Sequence, residues 1–140
     1  MKKLLPILFI SLFALLACEE ENIALNNDIR NFIEQKYEGA TILYAEKDFN
    51  GEIDVEIIHG NIRKEVKFNR KNSWINTTWD IAINELPGAA RESILDKYPE
   101  YRIDDVDYVE TPTGDHYKVE LERGEREKIV LATAEGEILN

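Results

Sequence analysis

The feature that most constrains the fold is a likeness between the two halves of the chain. The segment Ile94–Tyr98 (ILDKY) aligns with Ile33–Tyr37 (IEQKY), 61 positions earlier, and the likeness continues through similar strand and turn patterns to the last residue. This likeness indicates that one structural unit occurs twice. Each half, of about 55 to 60 residues, would bury too little surface to be stable alone, so we expect the halves to share one hydrophobic core.

Each half begins with a helical pattern and continues with strand patterns. Four apolar residues spaced three and four apart predict the first helix: Ile29, Phe32, Ile33 and Tyr37. From Thr41 onward apolar and polar residues alternate, which predicts strands, and Asn50-Gly51 is typical of a tight hairpin. The pattern predicts an α+β fold of two tandem repeats, each one helix followed by a four-stranded antiparallel meander, around one shared core. The predicted limits are repeat one at 27–76, a bridge at 77–85 and repeat two at 86–140.

The N-terminus predicts export from the cytoplasm. Two lysines precede an apolar run of 13 residues, Leu4–Leu16, which is shorter than the roughly 20 residues that span a bilayer. Residues 1–17 are therefore predicted to be a signal peptide. The ending Leu15-Leu16-Ala17-Cys18 resembles the lipobox of bacterial lipoproteins, which implies that Cys18 carries a lipid and anchors the chain to a membrane. The alternative is an ordinary signal peptide with an incidental cysteine.

Residues 18–26 are predicted to form an acidic tether between the membrane and the folded part. The run Glu19-Glu20-Glu21 resembles the acidic tract by which some bacteria with two membranes send lipoproteins to the cell surface. The alternative is a solvated spacer that anionic headgroups repel. The expected location is the cell envelope, as an outer-membrane lipoprotein that is either periplasmic or surface-exposed.

Charge and composition exclude several functions. The formal net charge of −11 becomes −13 once Lys2 and Lys3 are removed, and such a surface repels nucleic acid. Cys18 is the only cysteine, so neither an intramolecular disulfide nor a cysteine metal cluster can form. His59 and His116 lie in or beside predicted turns, and the spacing gives neither a carboxylate that would orient it for acid–base catalysis. No nucleophile elbow or phosphate-binding glycine loop is present, and we predict no enzyme activity and no cofactor.

A metal site is the strongest of the chemical alternatives. Asp104, Asp105 and Asp107 lie close together in the sequence. On a strand, however, Asp104 faces away from the other two, which leaves two carboxylates on one face where calcium takes 6 to 8 oxygen ligands. The sequence therefore predicts a solvated acidic face and no metal site.

Several short motifs carry a resemblance to a known family. They are Trp74, Thr77, Asp80-Ile81, Leu86-Pro87, Ile94, Lys97-Tyr98-Pro99 and Glu135-Gly136. In these residues the chain resembles the PepSY-like, beta-lactamase-inhibitor-like proteins, which are secreted bacterial proteins built of tandem helix-plus-sheet units. The resemblance implies kinship in shape with protein inhibitors of beta-lactamases and with domains proposed to restrain peptidases. The matched positions are packing and turn motifs, so the resemblance carries over no inhibitory contact residues.

The internal alignment also selects candidate partner-binding residues, because positions that differ between the halves are free of a shared packing role. Trp74 aligns with Glu137, which predicts that it lies on the polar face of the sheet, where an aromatic anchor suits a protein interface. The alternative is that Trp74 covers the seam between the halves. Six charged residues are predicted to share that polar face: Glu52, Asp54, Glu56, Glu65, Lys118 and Glu120.

Two functional hypotheses follow. The first is a lipid-anchored protein-binding module of the envelope, inhibitor-like or enzyme-restraining, with no chemistry of its own. The second is a structural lipoprotein, or one that senses small ligands or cations between its halves.

Overall fold

One antiparallel sheet, with a helix before each of its two parts, organises the fold. The structure is a computed structural model, and it describes residues 23–140. The predicted signal peptide, Cys18 and the first residues of the acidic tether lie outside the described residues. Neither helix between Ile23 and Asn140 is long and apolar enough to cross a membrane.

The elements follow one another in a simple order. They are α1 (Asn27–Lys36), β1 (Thr41–Lys47), β2 (Ile53–His59), β3 (Ile62–Phe68), β4 (Trp74–Asp80), α2 (Gly88–Lys97), β5 (Arg102–Glu110), β6 (His116–Arg123) and β7 (Arg126–Ala132), with one 3₁₀ turn (Ile83–Glu85) before α2.

Helix α1 begins and ends where its sequence favours it. The Asn26 side chain accepts a hydrogen bond from the backbone N–H of Ile29 at 3.0 Å, which satisfies one of the free donors of the first turn. Asp28 lies in that turn and Lys36 in the last one, so both charges suit the helix dipole. The sequence allows either Asn26 or Asn27 as the cap, and the structure uses Asn26.

The predicted pair of tandem repeats is wrong. Within residues 23–140 the seven strands form one sheet in the order β1 to β7, because β4 pairs directly with β5, as in Thr78 opposite Val109. Strand β4 also runs to Asp80, beyond its predicted end at Asn76, and so crosses into the predicted bridge. After Ala132 the chain makes only an isolated bridge to Ile138, not a fourth strand of the second half.

The last residues cover the outer edge of β7 in place of that strand. The Leu139 N–H donates to the Leu131 carbonyl oxygen at 2.8 Å. The Asn140 side chain continues the pattern, since its oxygen accepts from the Leu131 N–H at 2.9 Å and its amide donates to the Ile129 carbonyl oxygen at 3.2 Å. A side-chain amide therefore pairs with the strand edge as a backbone would.

The predicted single core is also wrong, because the buried apolar residues form two clusters. The first cluster lies under α1 and comprises Leu25, Ile29, Ile33, Tyr37, Ala45, Val55, Ile57, Val66 and Phe68. The second cluster lies under α2 and comprises Leu86, Ala90, Ile94, Val106, Val119, Leu121, Val130 and Ala132. Each helix covers its own part of the continuous sheet.

Polar and aromatic side chains fill the seam between the clusters. The Tyr37 hydroxyl lies 2.7 Å from Thr77 Oγ1 and donates to Glu110 Oε2 at 2.6 Å, so it joins α1 to β4 and β5. Beside it the Trp79 ring packs on Tyr108, with 4.8 Å between ring centroids. Thr77 is fully buried, and a buried hydroxyl needs such a partner. This polar row is the physical reason that the two clusters do not merge.

Candidate interaction face

Among residues 23–140, one side of the sheet carries no helix. Thr77 on β4 pairs with Val66 on one side and with Glu110 on the other, and these residues share the face that α1 and α2 cover. The alternate residues of each strand point to the opposite side, which we call the open face. Since a sheet with one solvated face carries polar residues there, the open face is the natural place to look for a binding surface.

The open face contains a groove of about 1120 Å³. Val109, at the centre of the sheet, is buried at its floor between Thr78 on β4 and His116 on β6, which are its pairing partners. Carboxylates outnumber cations in the rest of the lining. The six carboxylates are Glu46, Asp54, Glu56, Glu65, Asp80 and Asp107, and the four cations are Arg63, Lys64, Lys67 and Lys118.

Three cations of the open face are paired with these carboxylates across neighbouring strands. Lys67 Nζ lies 3.2 Å from Asp54 Oδ1, and Lys118 Nζ lies 2.6 Å from Asp107 Oδ2. Arg63 pairs with Glu56 in the same way. The hydrogen bond that Lys118 donates to Asp107 raises the pKa of Lys118, so this lysine stays charged. The groove lining as a whole therefore keeps an excess of negative charge.

Glu65 lies at the centre of this excess. Although the residue is exposed overall, its neighbours desolvate the carboxylate, and together with the negative charge of Asp54 this raises the pKa of Glu65. Asp54 lies next to it on β2, where it pairs with Lys67. A partner that brought a cation here would relieve this repulsion.

A second acidic group lies at the far end of β4. One carboxylate oxygen from each of Asp80, Asp105 and Asp107 lies within 4.8 Å of the other two. Desolvation, then the charge and hydrogen bond of Asp105, raise the pKa of Asp80. Three oxygens are fewer than calcium takes, so the cluster could hold a cation only with further ligands.

The structure brings together four of the seven predicted site residues. Asp54, Glu56, Glu65 and Lys118 all line the groove. Glu120 lies on the same face of β6 but outside the groove lining, opposite Asp105. The remaining two candidates lie elsewhere.

Glu52 and Trp74 lie away from the groove. Glu52 precedes β2 in the hairpin turn, where its N–H donates to Asp48 Oδ1 at 2.9 Å. Trp74 lies on the helix side, where its ring packs on Phe32 of α1 at 5.4 Å between centroids and its indole N–H donates to Thr77 at 3.0 Å. Trp74 thus lies against α1, next to the seam, and not among the charged residues.

A bulge explains the position of Trp74. Lys67 pairs with Asn76 and Phe68 with Trp74, so the register shifts by one residue and Ile75 is passed over. One extra residue reverses the face on which the following side chains lie. Alternation alone would put Trp74 with Asn76 on the open face.

Sequence reasoning missed several groove residues. Asn76, Thr78, Asp80, Val109 and His116 enter the lining because β4 is longer than predicted and pairs with β5. The only sequence signal was the run Thr77–Asp80, whose alternating residues could have been taken as a strand instead of a bridge.

The geometry defines a class of small protein in which two helices cover one side of a continuous sheet and leave the other side as an acidic groove. A family model described as "Putative beta-lactamase-inhibitor-like, PepSY-like" matches residues 51–139. Since the match covers more than half of the chain, the chain belongs to this family, and the resemblance inferred from the sequence is confirmed.

Three solved structures from Bacteroides have the same fold. A BLIP-like protein from Bacteroides fragilis is 23% identical, with a TM-score of 0.72 over 84% of this chain and 85% of that one. A DUF2874 family protein from Bacteroides uniformis is 18% identical, with a TM-score of 0.71 over 84% and 88%. A Bacteroides eggerthii structure titled "putative periplasmic proteins" is 15% identical, with a TM-score of 0.69 over 84% and 87%.

At these identities the likeness shows the fold alone. No curated protein matches the chain at a significant level. The function therefore has to be argued from the geometry of the open face.

Proposed function

We propose that this chain is a protein-binding module of the bacterial cell envelope, inhibitor-like and without catalytic activity, and that it binds its partner through the open face. The observation that carries the proposal is the groove of about 1120 Å³, which lies across the centre of a continuous sheet and holds six carboxylates against four cations. The inhibitor-like family description supports this reading.

The electrostatics of the groove indicate the chemistry of the partner. The three cations of the face are already paired with carboxylates, whereas Glu65 has a raised pKa that an approaching cation would lower. A protein surface that presents lysine or arginine side chains is complementary to this groove. Complementary charge steers association and makes its rate depend on salt.

The experiment is capture of envelope proteins at low and high salt with two matched variants. Glu65→Lys reverses a charge in the groove, and Glu34→Lys reverses an exposed charge on α1, away from the open face. We expect capture at low salt that Glu65→Lys abolishes and Glu34→Lys retains. An empty eluate at low salt, or equal capture by both variants, would contradict the proposal.

The finer part of the proposal is the anchor. We infer that the mature chain begins at Cys18 and is held by lipid on the outer membrane, facing the periplasm or the cell surface. The lipobox-like sequence supports this, and the Bacteroides eggerthii structure with the same fold carries a periplasmic description. Mass spectrometry of the N-terminal peptide should show acylation at Cys18, and the Cys18→Ala variant should leave the membrane fraction.

The acidic group on β4 and β5 favours a second candidate function, the sensing of a cation. Asp80, Asp105 and Asp107 are close enough to share one ion. If they do, calcium will raise the melting temperature, because a ligand selective for the folded state stabilises it. The Asp105→Asn variant should then lose the shift. An unchanged melting temperature removes this candidate and leaves the first one intact.

A further inference from the structure

Phe49 is the most exposed apolar side chain of residues 23–140. Its side chain is 97% exposed, whereas the next exposed large apolar residue, Ile129, is 52% exposed. Phe49 stands at the tip of the β1–β2 hairpin and contributes to neither hydrophobic cluster. Folding therefore gains nothing from a phenyl ring at this position.

The turn that presents Phe49 is firmly held. Asp48 Oδ1 accepts from the N–H groups of Asn50 at 2.8 Å and Glu52 at 2.9 Å, and the Asp48 carbonyl oxygen accepts from Gly51 at 3.0 Å. Gly51 has a φ of +84°, which suits glycine. The backbone of the turn thus holds Phe49 at the tip, with its ring exposed to solvent.

The chain enters the fold at the same end of the sheet as this hairpin. The Ile23 N–H donates to the Ala45 carbonyl oxygen at 2.9 Å, near the end of β1 that leads into the turn. Cys18 precedes Ile23 by five residues. Five residues span at most about 17 Å, so a lipid on Cys18 would hold this end of the molecule close to the bilayer.

The charge around Phe49 also differs from that of the chain as a whole. A Cβ on Gly51 would lie 3.6 Å from Arg70 Cβ and 3.6 Å from Lys47 Cε, so the β3–β4 turn lies beside the hairpin. Lys47 and Arg70 therefore flank the turn that carries Phe49, whose own charged residues are Asp48 and Glu52. Two cations thus balance the two carboxylates of this turn in a mature chain of charge −13, and the two cations can meet the phosphates of a lipid surface.

We propose that Phe49 inserts into the bilayer interface and forms a second point of attachment beside the lipid on Cys18. The inference rests on the proposed anchor. One acyl chain alone binds a membrane reversibly, and a second signal makes attachment stable. Two points of attachment also fix the direction of the sheet, so that the strands rise from the membrane and the open face stays accessible from the side.

The test uses tryptophan substitutions in a chain tethered to vesicles. The form that starts at Cys18 retains every described helix and strand, and its single thiol can be coupled to a maleimide lipid in phosphatidylethanolamine and phosphatidylglycerol vesicles. Phe49→Trp places a probe at the hairpin tip. Ile62→Trp is the control, because Ile62 is 44% exposed at the opposite end of the sheet.

Brominated acyl chains should quench the added emission of Phe49→Trp and leave that of Ile62→Trp unchanged, over the same background from Trp74 and Trp79. Equal quenching of the two variants would overturn the proposal. Since the tether is chemical, this result does not depend on natural acylation of Cys18, which mass spectrometry tests separately.

A second measurement tests how removal of the Phe49 ring affects binding to vesicles. In untethered Cys18→Ser protein, Phe49→Ser should reduce binding to these vesicles by about tenfold, while Ile62→Ser should not. The melting temperature of Phe49→Ser should be unchanged, since the ring contributes to neither cluster. If Phe49→Ser binds vesicles normally and instead loses a captured envelope protein, Phe49 belongs to a protein interface and the lipid contact is wrong.

Discussion

The two hydrophobic clusters fill the space between helix and sheet in different ways. Helix α1 sends Ile29 and Ile33 into the first cluster, and Phe32 packs edge-on against Phe68 at 5.4 Å between centroids. Helix α2 buries only Ala90 and Ile94.

Close approach of the backbone replaces side-chain bulk in the second cluster. A Cβ on Gly136 would lie 2.6 Å from the carbonyl oxygen of Ala89 on α2. Large side chains therefore fill the first cluster, whereas at the second cluster the backbone at Gly136 packs directly against α2. We expect the first to be sensitive to truncation and the second to added atoms, because both interiors are close-packed.

The largest expected effect is truncation in the first cluster. Phe68 is fully buried, and Phe68→Ala should lower the free energy of unfolding by about 3 to 5 kcal/mol through lost burial and a residual cavity. Urea unfolding measures this. The same change at the exposed Phe49 should stay within about 0.5 kcal/mol. Similar losses at both positions would contradict the cluster assignment.

Addition of one methyl group should damage the second cluster next most strongly. Gly136 has a φ of +91° as well as its close contact with Ala89, so Gly136→Ala should cost about 2 to 4 kcal/mol. Gly60 has a φ of +59° and open space around it, and Gly60→Ala should cost only about 1 to 2 kcal/mol. Thermal unfolding measures both losses of stability, and their difference gives the cost of the close contact between residue 136 and Ala89.

A smaller effect is expected at the seam between the clusters. Tyr37→Phe removes the hydroxyl that contacts Thr77 and Glu110, and should cost about 1 to 2 kcal/mol because these groups lose a partner. Tyr108→Phe, at a phenol that bonds the exposed Asp115, should cost less. Equal losses of stability in the two variants would mean that burying the Tyr37 hydrogen bond does not strengthen it.

The same tyrosine predicts a pH dependence. Burial, then the hydrogen bond to Glu110, raise the pKa of the Tyr37 phenol above its ordinary value of 10.0. The folded protein keeps this proton to a higher pH than the unfolded chain does. The stability that Tyr37 contributes is therefore fully present below about pH 10 and is lost as the pH rises further. Tyr37→Phe should flatten this alkaline loss in melting curves. An unchanged slope would assign the loss to Tyr108, whose pKa rises to about 12 through burial and Asp115.

The smallest effect concerns the side-chain cap that α1 has and α2 lacks. Asn26→Ala removes the side-chain cap of α1 and should cost about 1 kcal/mol, whereas α2 starts at Pro87 without a side-chain cap. Asn27→Ala, one residue later, should stay within about 0.5 kcal/mol. The helical signal in circular dichroism during thermal unfolding distinguishes the two.

Local features of this fold could be predicted and long-range ones could not. The α1 cap and the β1–β2 hairpin depend on neighbours a few residues away. The cap is Asn26, one of two asparagines that the sequence allows, and the hairpin turns at Asn50-Gly51, where Gly51 alone has a positive φ. At the join between β4 and β5, the buried Thr77 hydroxyl contacts Tyr37, which lies 40 residues away in sequence. Since a polar run shows no such partner in its own composition, Thr77–Asp80 was predicted to be a bridge.

The face on which a candidate residue lies could not be predicted where the strand is irregular. Asp54, Glu56 and Glu65 lie on regular stretches of β2 and β3, and their shared face follows from alternation. Trp74 follows a bulge, which reverses its face. A bulge depends on the pairing partner as much as on the strand itself, so the sequence of β4 alone does not reveal it.

The covering of β7 by Leu139 and Asn140 has a consequence for a protein that would be crowded on a membrane. Unpaired strand edges are where neighbouring copies join into fibrils, and a side-chain amide already occupies this edge. Removing these two residues should turn a dispersed protein into one that polymerises edge to edge.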